Sequence, residues 1–183
     1  MRNKYESTVT ECSKDDFGNS LIDDNTKVYS LDDYAKDIGT EYRSKKKYPA
    51  SADVFAFGEG NQLYLIEFKN ARKSKIHFSM LASKAFDSMY LLQLFLDGKY
   101  SVKTLAERTV FCVVYRDDFG NMELQENPSA SFQKFKDKIG TLAQISGRNI
   151  LFGLEKYKDW LYKEIYTIGE KEFRELLLPK LYI

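Results

Sequence analysis

The sequence predicts an α/β fold, a mixed central β-sheet flanked by helices, in a single domain spanning residues 1–183. Three observations predict it. Two apolar runs joined by turn residues, between Ala52 and Lys69, read as a β-hairpin. A broad apolar band at helical spacing follows, from Phe78 to Leu96. Further apolar runs around Thr109–Tyr115 and Asn149–Leu154 then flank a second helical stretch. Strand, helix, strand, helix, strand implies parallel pairing after the hairpin, because parallel neighbours need a long crossover.

The chain has 183 residues, 43% of them hydrophobic, enough for a substantial core and too apolar for disorder. Met1 to Lys27 is polar, with turn signals in its DDFGNS and DDNT runs and room for short strands around Tyr5–Cys12. Ser30 followed by Leu31, Asp32 and Asp33 predicts a helix start, with Ser30 as N-cap and acids in the first turn; Gly39 marks its expected end.

In the hairpin, Ala52–Phe57 is apolar apart from Asp53, and Leu63–Phe68 is apolar apart from Glu67. Gly58, Glu59, Gly60, Asn61 and Gln62 supply the turn. Alternation places Asp53, Phe55 and Phe57 on one face of the first strand, and Leu63, Leu65, Glu67 and Lys69 on one face of the second. If the five loop residues are unpaired, Phe57 faces Leu63, Phe55 faces Leu65 and Asp53 faces Glu67; a one-residue slip would separate the faces. In that register the two carboxylates have Cβ atoms about 5 Å apart, and their repulsion must be offset. A divalent cation does so with oxygen ligands, Mg²⁺ typically taking one or two carboxylates plus waters and substrate phosphates. Lys69 lies roughly 7 Å further along the same face, where an ammonium can stabilise developing charge.

This pattern resembles the PD-(D/E)xK nuclease superfamily, which has the restriction-endonuclease-like fold. The matching residues are Asp53 and then Glu67-Phe68-Lys69. The proline of the family name is absent, since Ser51-Ala52 precedes Asp53. The only other lysine with an acid two places before it is Lys99, in Asp97-Gly98-Lys99, where a turn replaces the strand. The resemblance implies a metal-dependent nuclease that hydrolyses phosphodiester bonds, with DNA the expected substrate. It implies Asp53, Glu67 and the Phe68 carbonyl as ligands of Mg²⁺ or Mn²⁺, and Asp53, Glu67 and Lys69 as the catalytic set. It also implies a restriction-endonuclease-like core and a further acid from a preceding helix, for which Asp33 and Glu41 are the candidates. The Gln-x-x-x-Tyr motif of the RecB-like branch is missing in clean form. The alternative to an enzyme is a non-catalytic nucleic-acid-binding or interaction module on the same fold. Retention of Asp53, Glu67 and Lys69 together argues against it.

Arg43, Lys45, Lys46 and Lys47 precede the hairpin, and Arg72, Lys73 and Lys75 follow it. They read as a phosphate-binding rim or as solvated loops. With a net charge of +1, any nucleic-acid site must rest on such local patches. Tyr42 and Tyr48 are candidates for base stacking.

The helix from Phe78 to Leu96 carries apolar residues so widely that burial between the sheet and other elements is expected. Lys84 interrupts the band. It reads first as a lysine snorkelling along its stem, and alternatively as a polar residue that the helix points into the site. His77, just before the helix, reads as a capping or surface residue. Thr109–Tyr115 reads as a central strand buried on both faces, Arg116–Asn121 as a turn, Pro128–Ile145 as a helix and Asn149–Leu154 as a second buried strand. Around Tyr162–Ile168 another strand is expected, then a helix at Glu170–Leu178. This tail either completes the core or offers the surface of a homodimer.

One histidine and two distant cysteines argue against a structural zinc site, and Cys112 inside an apolar run reads as a buried thiol. The start of the chain has no apolar signal region and no run approaches a membrane span, so a cytoplasmic protein without membrane partners is expected.

Overall fold

The structure, a computed structural model, describes residues 2–41, 48–72, 75–117 and 150–183. Its strands are β1 (Glu6–Thr8), β2 (Lys27–Ser30), β3 (Val54–Gly58), β4 (Gln62–Arg72), β5 (Thr109–Arg116), β6 (Glu164–Gly169) and β7 (Leu181–Tyr182). Among the described residues they form one seven-stranded mixed sheet, ordered β1-β2-β3-β4-β5-β6, with β7 also paired to β3. The helices are α1 (Val9–Cys12), α2 (Leu31–Glu41), α3 (Phe78–Phe95) and α4 (Val102–Ala106), followed late in the chain by a helical segment across Glu170–Glu172 and Phe173–Leu177.

The hairpin forms in the expected register, with Phe57 opposite Leu63 and Phe55 opposite Leu65. Its turn needs left-handed backbone at Gly60 and Asn61, the residue types that tolerate it best. From β4 the chain crosses through α3 and α4 into β5, which lies parallel to β4, Leu65 beside Phe111 and Glu67 beside Val113. β6 continues the parallel set, with Phe111 beside Ile165.

Strand alternation divides the interior into two cores. On one face Phe55, Leu63, Leu65, Phe111, Val113 and Ile165 pack against Leu81, Ala85, Met89, Leu92 and Phe95 of α3. On the other, Val54, Ala56, Ile66, Cys112, Val114 and Ile168 meet Phe173 and Leu177, together with Val9 and Ile22 from the amino-terminal region. Each fully buried aliphatic side chain contributes on the order of 1.5–3 kcal/mol, so these layers hold α3 firmly on the sheet. The buried Tyr162 hydroxyl donates to the Ala85 carbonyl, which fixes α3 to the strand side.

Several elements differ from the expectation. Residues 150–154 are not a strand: Phe152 and Gly153 both have positive φ, and this turn packs on the start of α3, where a Cβ on Gly153 would stand 3.3 Å from the Phe78 ring. The second parallel neighbour is β6 instead. α2 runs through Gly39 to Glu41. That glycine answers to packing, because a Cβ there would meet the Tyr48 Cβ at 2.6 Å. The expected strand around Tyr5–Cys12 is only β1, after which Thr8 caps α1 through the Glu11 N–H at 3.3 Å. α3 is not buried all round, since Met80, Phe86 and Tyr90 are exposed. The Pro128–Ile145 helix lies outside the described residues, as does most of the Arg116–Asn121 turn. The tail is built into the sheet: β6 flanks β5, and β7 pairs Leu181 with Gly58 and Tyr182 with Phe57. Cys12 and Cys112 are free thiols, and burial pushes Cys12 up to about 11 and Cys112 higher still. Among the described residues no helix is long and apolar enough to cross a membrane.

Candidate functional site

Asp53 stands immediately before β3, and the hairpin register continued by one residue sets it opposite Glu67. Glu67 and Lys69 point from β4 to the face that α3 covers. The approach to Asp53 is clasped by both helices. The Ala50 N–H donates to Asp87 Oδ2 at 3.0 Å and the Ala52 N–H to Ser88 Oγ at 2.7 Å, both acceptors lying on α3. The Ser51 hydroxyl donates to Asp32 Oδ1 on α2 at 3.0 Å. The Phe68 N–H in turn donates to Asp53 Oδ2 at 2.6 Å, which locks the carboxylate onto β4.

The two acids meet at a pair of ammonium groups. Lys84, from the second turn of α3, places Nζ 2.8 Å from both Glu67 oxygens and 3.4 Å from Asp53 Oδ1. Lys69 Nζ lies 2.5 Å from Glu67 Oε1. Glu67 is wholly buried, whereas Asp53, Lys69 and Lys84 each keep about a fifth of the side chain accessible (21, 22 and 21%). Glu67 Oε1 is close to both cations yet receives no aligned hydrogen bond.

Burial, and then the neighbouring charge of Glu67, push Asp53 up to about 7, against the opposing pull of Lys84 and the Phe68 N–H. Burial works against the Lys84 ammonium, but the charges of Asp53 and Glu67 and the hydrogen bond to Glu67 outweigh it, so its pKa is raised.

The residues expected to converge from sequence, Asp53, Glu67 and Lys69, therefore do so on one face. Lys84 joins them. Its ammonium is turned inward to the acids rather than outward along its stem, which corrects the snorkelling reading. Asp33 serves the start of α2: its carboxylate accepts the Ser30 hydroxyl at 2.8 Å and its N–H donates to Ser30 Oγ at 3.2 Å. Its neighbour Asp32 is the α2 acid whose charge acts on Lys84. Glu41 closes α2, with its side chain outside the described residues. Phe68 contributes its N–H, while its ring packs on the far face against Phe173 at 5.5 Å. His77 occupies the N-cap position of α3 without a side-chain capping bond. Tyr48 is half exposed, at 52%, against Gly39. Of the basic rim, Lys75 is exposed; Arg43, Lys45, Lys46, Lys47, Lys73 and the Arg72 side chain lie outside the described residues.

Among the described residues no cluster of three or more His, Cys, Asp or Glu side chains is suited to a metal ion. The pair nevertheless fits a hard cation. Two carboxylates with water and substrate oxygens are enough for Mg²⁺, though both Glu67 oxygens are met here by ammonium groups at 2.5–2.8 Å. Two surface cavities among the described residues lie away from this cluster. One of about 360 Å³ is lined by Tyr5, Tyr34 and Phe95, and one of about 530 Å³ by Val102, Trp160 and Lys163.

Comparison with protein-family models, curated proteins and solved structures finds no match for this chain.

Proposed function

We propose that this protein is a metal-dependent nuclease whose catalytic centre comprises Asp53, Glu67 and Lys69. The single observation that carries the reading is the cross-strand carboxylate pair with a lysine on the same face. Within the pair, buried Glu67 has one oxygen with no aligned donor. The position in the fold supports it as well. Glu67 lies at the middle of β4 and Lys69 beyond it toward the carboxyl end, within the parallel set β4-β5-β6, and open α/β sheets bind ligands at that end of their strands. The order hairpin, helix, parallel strand is the one expected of a restriction-endonuclease-like core.

Asp53 and Glu67 would hold Mg²⁺ or Mn²⁺, with the Phe68 carbonyl as a third oxygen donor. When bound, such a cation supplies Lewis acidity at a phosphoryl oxygen and makes water nucleophilic near neutral pH. Asp53 is oriented for this by the Phe68 N–H and by the clasped 50–52 segment. Glu67 is held dry beside two ammonium groups, where electrostatic interactions are strong. Lys69 is accessible enough to approach a phosphate or its attacking water, and its charge stabilises negative charge gathering on the phosphoryl oxygens. Arg43, Lys45, Lys46, Lys47, Arg72, Lys73 and Lys75 bracket this centre in sequence and would engage the phosphates of the nucleic acid on either side. DNA is the substrate proposed.

The test is cleavage of end-labelled single- and double-stranded DNA and RNA by the purified chain with Mg²⁺ or Mn²⁺. Metal-dependent cleavage lost in Asp53→Ala supports the reading. Binding without cleavage under every condition would instead identify a non-catalytic nucleic-acid-binding module.

A further inference from the structure

We propose that Lys84 is a built-in counter-cation of the carboxylate pair: it occupies the bridging position between Asp53 and Glu67 and must give way when a divalent cation binds. The inference rests on the metal-dependent reading of this site. Two carboxylates set side by side repel, and the hairpin register continued by one residue beyond Val54–Ile66 sets Asp53 opposite Glu67. Among the described residues Lys69 forms an ion pair with Glu67 alone of the two acids, at 2.5 Å. Lys84 reaches both acids, at 2.8 and 3.4 Å, and so receives the kind of oxygen contacts that a hard cation would take.

Geometry also allows the exchange. Lys84 is anchored on a helix whose neighbouring residues Leu81 and Ala85 are fully buried, so the backbone stays in place. The ammonium sits at the end of four rotatable methylenes, and the side chain keeps 21% of its surface accessible. A change of rotamer removes the charge from between the acids without moving α3. The device offsets the repulsion between the acids in the metal-free centre, and it sets a threshold that the cation concentration must exceed. Asp32, which accepts from Ser51 through Oδ1 and pairs with Lys36 at 2.8 Å through Oδ2, adds a further negative charge that acts on Lys84.

Mn²⁺ titration calorimetry on the chelator-stripped full chain, with Lys84→Met and Lys69→Met compared with the wild type, tests this. Competition predicts that Lys84→Met binds Mn²⁺ at least about tenfold more tightly than the wild type, because a positive charge next to the site is gone. Lys69→Met should gain less. Thermal unfolding supplies the second readout. In chelator Lys84→Met melts below the wild type, and saturating Mn²⁺ raises its melting temperature by more than it raises that of the wild type. Should Lys84→Met not fold without metal, Lys84→Gln replaces it in both measurements. Equal or weaker Mn²⁺ affinity in the Lys84 variants would overturn the proposal and make Lys84 a supporting residue of the metal site. The outcome separates from that of the nuclease reading. Absence of cleavage with the competition intact overturns only the catalytic assignment, and cleavage with unchanged affinities overturns only the role given to Lys84.

Discussion

Replacing Asp53 by asparagine should stabilise the metal-free protein in alkaline solution and leave it nearly unchanged in acid. Burial and the charge of Glu67 raise Asp53 from an ordinary 3.8 to about 7. A carboxyl that binds its proton more tightly when folded favours the folded state while protonated. That contribution is complete below about pH 4 and is lost as pH rises through about 7. The full difference is on the order of 4 kcal/mol, more than half of which falls between pH 5 and pH 8. The amide of the substituted side chain keeps an oxygen for the Phe68 N–H and carries no charge to desolvate. Urea unfolding in the presence of chelator, at intervals from pH 4.5 to 8.5, measures the gap between the two proteins. The account expects the variant to be more stable by on the order of 2–4 kcal/mol at pH 8, with the gap closing toward zero at pH 4.5. Parallel curves, with the variant less stable throughout, would refute the reasoning. They would mean that Asp53 is ionised across the range and that its ion pair with Lys84 is a net gain.

Lys69→Ala should remove most cleavage and leave Mn²⁺ affinity largely intact, whereas Asp53→Ala should lose both, because oxygen ligands hold the cation and an ammonium cannot; calorimetry beside a cleavage assay separates the two. Ser88→Ala leaves the Ala52 N–H buried without its acceptor, and should cost about 1–3 kcal/mol in urea unfolding while lowering the cleavage rate by loosening Asp53. Gly58→Ala would drive a Cβ to 2.2 Å from the ring of buried Tyr64 at the end of the hairpin, for an expected loss of about 1–3 kcal/mol measured the same way.

The hairpin was legible because its signals agree. Alternating apolar residues fix which side chains face together, and Gly60 and Asn61 supply the left-handed turn that sets the register. Glu67 stood out because an acid inside an apolar strand must have a partner. The partner was legible only as the second of two readings of Lys84. Lys84 meets Asp53 and Glu67 only after α3 has docked across the hairpin, a contact that no local spacing encodes. The same is true of Ser88 and Asp87, ordinary polar residues until the 50–52 segment runs beside them. The apolar residues at 150–154 imitate a strand because burial without periodicity looks the same in a turn. Gly39 imitates a helix end because the signal for a stop and the signal for close packing are both a missing side chain. The breadth of the apolar band on α3 suggested burial on every side, yet one flank with Met80, Phe86 and Tyr90 faces outward.

The most direct test of the catalytic centre is the single-turnover rate of DNA cleavage in Mg²⁺ by the wild type and by Glu67→Gln, which keeps the shape of the buried side chain and removes its charge. The account predicts metal-dependent cleavage by the wild type and a rate lower by at least about 10³-fold in the variant. Cleavage by Glu67→Gln at the wild-type rate would place the chemistry elsewhere on the protein and contradict the account.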